Sequence, residues 1–322
     1  MYGEQEIAGR ERRRRENMRK RRIKRRINLC AKLVIAAAVL VVACNFISGL
    51  SIWKGKSLDD FLAGIKNVKA EDTKLTFVDA EDANLTYPTA REGDELYRAL
   101  HERAETDDAY SAILDNYDAY PEELLSALCS NPEMLPFVEG YLASDGKVHG
   151  GLTKEELDAK IPLLIQWDER WGYAPYGESS IALSGCAPTC LSMVVVSLTK
   201  DSSATPDQIA DYAMQEGYYL QGTGTTWAIM TEGAAHYGVT GQELSLDEGV
   251  IMRHLQAGEP IICSMRPGDF TTAGHFIVLS GTVDGKIIVN DPNSRARSQV
   301  LWDYDTIASQ IKNLWAFTGN QT

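Results

Sequence analysis

One stretch divides this chain before any other feature is weighed. From Leu33 to Ile52, LVIAAAVLVVACNFISGLSI carries no charged side chain over 20 residues, enough to cross about 30 Å of hydrocarbon as a helix. Lys32 can snorkel at one end, and Trp53 with Lys54 suits the interface at the other. Residues 33–53 are therefore expected to form a transmembrane helix.

The charge distribution orients that helix. Residues 1–26 hold 12 Lys or Arg and 4 Glu, a net of +8, whereas the remainder holds 20 basic and 41 acidic residues, a net of −21. The positive side of a span stays inside, which makes 1–32 a basic cytoplasmic tail and exports everything after residue 54. The expected location is the cell membrane, single-pass, with the lipid bilayer as partner through 33–53. A basic arm also suits nucleic acid, but the topology rule accounts for it alone, and no nucleic-acid partner is expected. A cleaved signal peptide has a shorter lead and a shorter apolar run. VVAC, ending at Cys44, looks like a lipoprotein processing box and offers a lipidated Cys44 as the alternative to an uncleaved anchor.

Beyond the anchor, residues 54–93 read as a juxtamembrane linker. It opens with a short amphipathic helix, SLDDFLAGIK, followed by a polar, acidic spacer. Residues 94–150 read as a small helical region built from ELYRALHERA, AYSAILDNY and YPEELLSALCSNPEMLPFVEGYL. Pro121 stands at a first turn and Asn131-Pro132 at a cap. Its residues offer no catalytic set, so it is expected to act as a brace or partner surface. Residues 158–319 turn to mixed texture. Helices are expected at the GCAPTC block, PDQIADYAMQEG, TTWAIMTEGAAHYG and LDEGVIMRHLQAG, the last ending at Gly258, and strands at PIICSM, HFIVLSG and KIIVNDP. Helices first and an antiparallel sheet last indicate an α+β fold.

The chemistry concentrates at SGCAPTCLSMVVVSL, Ser184 to Leu198. Pro188 belongs in a helix's first turn, which sets Cys186 at the helix N-terminus and Cys190 one turn inside. Aligned peptide dipoles and free N–H groups favour a thiolate at the first position. Cys190 points with Met193 and Val194 toward a core. A disulfide between the two is awkward across one turn. Cys129 and Cys263, in LLSALCS and PIICSM, are expected as buried free thiols.

A cysteine nucleophile needs a base. Of the five histidines, His101 and His149 lie outside the mixed region, and His236 and His254 sit on helices as packing or surface residues. His275 opens the strand HFIVLSG after the loop RPGDFTTAG, where its ring can face a cleft. Asp291, before Pro292 at the end of the next strand, is the candidate to orient that ring. Strand parity tests the pair. A three-residue loop Val283-Asp284-Gly285 puts both on one face as diagonal neighbours. A two-residue Asp-Gly loop puts them on opposite faces unless a bulge restores parity. For the oxyanion, the Cys186 N–H is one donor, and Gln166, 20 residues upstream, is placed to supply a side-chain amide.

The blocks IPLLIQWDERWGY, YG at 176–177, GCAPTCLSM, GHFIVLSG and IVNDPNS, spanning about Tyr120 to Phe317, resemble the papain-like cysteine peptidases related to the bacteriocin leader-processing (double-glycine) family. YPEELLSALCSNPE resembles what precedes this domain in membrane-anchored bacterial members. The resemblance implies a papain-like domain with Cys186 as nucleophile, His275 as base, Asp291 as its orienter and Gln166 as oxyanion donor. Two departures stand out: Ala187 occupies a position where relatives usually carry Gly, and the chain has no phosphate loop or exporter, so cleavage after a double glycine does not follow. GTGT at 222–225 is followed by no Lys, HExxH is absent, and no cofactor or metal is expected. The expected function is a membrane-anchored, outward-facing cysteine peptidase acting on peptide or protein outside the cell. The rivals are a cell-wall peptidoglycan endopeptidase or amidase with the same Cys–His chemistry, and a non-catalytic peptide-binding module on the same fold.

Overall fold

The computed structural model describes residues 77–320. The basic tail, the expected span at 33–53, the amphipathic stretch after it and most of the linker lie outside the described residues. Among the described residues, no helix is long and apolar enough to cross a membrane.

Eleven strands are present among the described residues: β1 (Val78–Asp79), β2 (Pro175–Tyr176), β3 (Ser179–Ser180), β4 (Tyr219–Leu220), β5 (Gly224–Thr225), β6 (Val239–Glu243), β7 (Ile261–Met265), β8 (His275–Val283), β9 (Lys286–Asn290), β10 (Val300–Trp302) and β11 (Ile311–Gly319). Seven of them form one sheet in the order β1-β10-β9-β8-β7-β11-β6, antiparallel except for the β1–β10 pair. The other four make two small hairpins, β2–β3 and β4–β5.

Side chains alternate across a strand with period two, and here both faces are covered. One face presents Ile262, Phe276, Val278, Trp315 and Phe317 to the Cys186–Thr199 helix. The other presents Ile261, Cys263, Ile277, Leu279, Ile287 and Val289 to a second core that includes Ile251, Leu255 and Trp302. Every residue of β7 is buried in consequence. The Cys186–Thr199 helix is buried from Ala187 to Val196, as expected of a helix that is apolar all round. Lys200, in the left-handed conformation at φ 58°, ends it.

Helices at Gly93–Ala104, Asp108–Leu114, Glu122–Ser130 and Leu135–Tyr141 make up the helical region. Their buried faces do not close on themselves. Leu96, Leu100, Leu124, Leu128, Phe137 and Val138 share one core with Ile165, Trp167 and Ala182, which belong to the approach to Cys186. Residues 76–322 accordingly form one compact unit.

Several local expectations change. The stretch read as linker up to residue 93 contributes β1, whose Val78 and Asp79 pair with Val300 and Leu301. The helix expected at TTWAIMTEGAAHYG is a 3₁₀ turn, Trp227–Met230, followed by the short helix Glu232–His236. The β8–β9 hairpin closes through two residues, Asp284 at φ 53° and Gly285 at φ 80°, with Val283 paired to Lys286. Positive φ at both positions is what a tight hairpin turn requires. Parity is nevertheless kept, because the register shifts between Leu279 and Gly281. Ser280 is the extra residue of this bulge, and below it Val278 pairs with Asn290.

Candidate active site

Three elements converge at one end of the sheet. The first is the Cys186–Thr199 helix, whose first residue is Cys186 and whose N-cap is Gly185. The chain folds back tightly to enter it: Gly185 N–H donates to the Ile181 carbonyl at 2.8 Å. A Cβ at Gly185 would lie 2.5 Å from that same carbonyl oxygen, so only glycine fits. The Gly185 carbonyl accepts from the Thr189 N–H at 3.0 Å and from the Thr189 hydroxyl at 2.7 Å. Cys186 is partly exposed, whereas Cys190 is fully buried, and burial pushes the Cys190 thiol well above its ordinary pKa. Ala187 is buried within the helix, a conformation that alanine adopts without strain. Cys129, Cys186, Cys190 and Cys263 are all free thiols.

The second element is the start of β8. His275 is 7% exposed and its Nε2 lies 2.8 Å from Asp291 Oδ1. With Nε2 so engaged, Nδ1 is the ring nitrogen left for the sulfur. Burial opposes protonation of the imidazole, but the charge and hydrogen bond of Asp291, together with the hydrogen bond and charge of Cys186, outweigh it and raise its pKa to about 9. The bulge at Ser280 makes this pairing possible, since a shift of one residue turns every side chain to the opposite face.

The third element follows β9. Asp291 is fully buried. Its Oδ1 also accepts the Asn293 N–H at 2.8 Å, and its Oδ2 accepts Arg297 Nε at 2.6 Å. Burial works against the charged form, yet Arg297 and His275 together hold the carboxyl down at about 2. A carboxylate with several donors stays ionised even in an apolar setting.

Gln166 links the first and third elements. Its backbone N–H donates to the Pro292 carbonyl at 2.8 Å and its side-chain Nε2 to the Ala182 carbonyl at 2.7 Å. One amide hydrogen on Nε2 is thereby used and the second remains. Oε1 is buried and has no hydrogen-bond partner.

The remaining histidines have other neighbours: His149 pairs with Asp145, His254 with Glu259, His236 stacks on Tyr212, and the His101 ring lies 6.3 Å from that of Tyr97. Among the described residues, no three His, Cys, Asp or Glu side chains gather as a metal cluster. Among the aromatics near the site's elements, Trp167 and Trp171 are buried and Trp227 is 39% exposed. Two neighbours, Tyr176 and Arg297, received no role from the sequence, although Tyr176 lies in the YG block. Tyr176 is buried, hydrogen-bonded to the Thr225 hydroxyl at 2.6 Å, and its phenol is raised first by burial and then by the nearby Cys186. Arg297 is 2% exposed, and nothing in RARS distinguishes a buried arginine from a surface one.

Comparison with known proteins gives the same class. The family model described as the Peptidase_C39-like family matches residues 159–322. Among solved structures, the chain is similar to the peptidase domain of Streptococcus ComA, described as a bi-functional ABC transporter involved in a quorum-sensing pathway, at 19% identity, covering 43% of this chain and 93% of that one, with a TM-score of 0.34. It is also similar to a Bacillus anthracis protein described as a C39-like peptidase, at 13% identity, covering 54% of this chain and all of that one, with a TM-score of 0.30. No curated protein matches.

Proposed function

The chain belongs to the Peptidase_C39-like family, and from that premise we propose that it is a cysteine peptidase using Cys186, His275, Asp291 and Gln166, anchored in the membrane by residues 33–53 with the peptidase outside the cell. The observation that carries the catalytic part is the buried His275, bonded to Asp291 at 2.8 Å, with Cys186 at the helix start near enough to add to the basicity of its ring.

The thiol proton moves to His275, leaving thiolate and imidazolium. The sulfur attacks a peptide carbonyl carbon and the carbonyl electron pair moves to oxygen. The Cys186 N–H, at the helix start, and the second amide hydrogen of Gln166 receive that oxyanion. Collapse expels the amine, which takes the proton from the imidazolium, and a thioester remains. Water then attacks the thioester, giving up a proton to His275, and the carboxylic product leaves as the thiolate re-forms. Asp291 remains ionised throughout and holds the ring in the tautomer that presents Nδ1 to sulfur.

The anchor rests on the 20 uncharged residues from Leu33 and on the net +8 before them. Peptides released by cells carrying the wild-type chain, compared with Cys186→Ala, test the activity. Peptides present only with the wild type are expected, and identical sets would overturn the reading. Protease added to intact cells should digest the 77–320 portion while leaving the tail intact.

A further inference from the structure

The Asp291 carboxylate is gripped from behind. Arg297 Nε donates to Oδ2 at 2.6 Å, and Arg297 Nη1 donates to the Thr86 carbonyl at 3.3 Å. The arginine rides on a single helical turn, Arg295–Ser298, whose Ser298 hydroxyl also accepts the Asp291 N–H at 2.8 Å. That turn is itself held from the helical region. The Glu133 carboxylate accepts the Ser294 hydroxyl, the Arg295 N–H at 2.9 Å and the Ala296 N–H at 3.2 Å. The Asn293 carbonyl accepts the side-chain amide of Asn131 and the indole N–H of Trp167 at 3.1 Å. Five consecutive residues, from Asn293 to Arg297, are thus each bonded to Asn131, Glu133 or Thr86, groups that precede the family match, which begins at 159.

We propose that Arg297 and Glu133 are positioning residues for the Cys186–His275 pair, Arg297 by holding the Asp291 carboxylate and Glu133 by holding the turn that carries Arg297, so that the helical region is part of the active machinery. This inference rests on the peptidase reading above. Neither residue touches the reacting atoms. Each acts through Asp291: a carboxylate free to rotate loses its bond to Nε2, the imidazolium loses its support, and the sulfur loses its cationic partner.

The test is the rate at which iodoacetamide alkylates Cys186 in the full-length chain, followed by mass spectrometry of its peptide from pH 4 to 10. Wild type should react at pH 5. Arg297→Met and Glu133→Ala should each react roughly tenfold more slowly there, a loss of about 1.4 kcal/mol of support for the ion pair, with Arg297→Lys between Arg297→Met and wild type. In an Asp291→Asn background, Glu133→Ala should change the rate no further, which a general loss of structure would not imitate. Near-ultraviolet circular dichroism checks folding, and if Arg297→Met does not fold, Glu133→Gln decides. Unchanged pH-5 rates in folded variants, or a further drop on Asp291→Asn, would overturn the positioning role and leave the peptidase reading standing. A wild-type chain without thiolate reactivity at pH 5 would remove both.

Discussion

The pair His275–Asp291 makes protonation part of the fold. His275 is raised from 6.5 to about 9 and Asp291 is lowered from 3.8 to about 2; these are two views of one coupled contact. A raised histidine contributes stability that is complete below about pH 6.5 and is lost as pH climbs through about 9. A lowered aspartate contributes stability that is present above about pH 3.8 and is lost as pH falls through about 2. Denaturant midpoints measured from pH 2 to 10 should therefore plateau between about pH 4 and 6.5, and Asp291→Asn should flatten both shoulders. Peptide hydrolysis should decline above about pH 9, where the imidazolium that protonates the leaving amine is lost. A second prediction concerns Gly185: because a Cβ would meet the Ile181 carbonyl at 2.5 Å, Gly185→Ala should cost about 1–3 kcal/mol, the usual range for overpacking. Its unfolding midpoint should fall by several degrees, and an unchanged midpoint would show that the turn can widen. These residue-scale features differ in how legible they are. Gly-Cys-Ala-Pro announces a helix start because proline is tolerated only in the first turn. Arg297 announces nothing, since its burial depends on Asp291, Thr86 and the Glu133-capped turn, which lie apart in sequence.

At the scale of elements, the β8–β9 hairpin shows where reading a sequence stops. Asp284-Gly285 suits either a two-residue or a three-residue loop, and the two predict opposite faces for His275. The hairpin takes the two-residue form and corrects it with the bulge at Ser280, whose hydroxyl donates to Asn290 Oδ1 at 3.0 Å. No residue pattern in HFIVLSGTV marks that insertion. Deleting Ser280 is predicted to remove the compensation. With the turn unchanged, His275 and Asp291 would face opposite ways, and low-pH alkylation of Cys186 should vanish while the hairpin persists by circular dichroism. Retained reactivity would mean that the turn re-forms with three residues. The strands β7, β8 and β9 are legible because they are apolar runs bounded by turn residues. The edge strand β1 and its neighbour β10, with two and three residues, are too short to carry a pattern of their own and exist through their neighbours' hydrogen bonds.

Over the whole molecule, the boundary between helical region and peptidase domain that composition suggests is not a boundary of packing. Phe137 and Val138 lie in one core with Ile165, Trp167 and Ala182, and Phe137 stacks on Tyr173 with ring centroids 4.2 Å apart. Glu156, Asp168 and Arg170 tie the adjoining loop together, with Arg170 bonded to both carboxylates at 2.7 and 2.8 Å. Shared apolar surface couples unfolding, so calorimetry on residues 77–322 should record one cooperative transition. Two separated peaks would show that the helical region melts by itself. The amphipathic patterns of 94–141 are readable as helices, but their partner is not, because an apolar stripe does not name the surface that covers it.

The strand at Val78–Asp79 has a mechanical consequence. Tension applied to the chain on its amino-terminal side meets first the two-rung ladder to Val300 and Leu301. It next meets Thr86, whose carbonyl holds the Arg297 guanidinium. A tug strong enough to peel those rungs is delivered to the arginine that grips Asp291, so the His275–Asp291 pair lies in series with any load on the amino-terminal side of Val78.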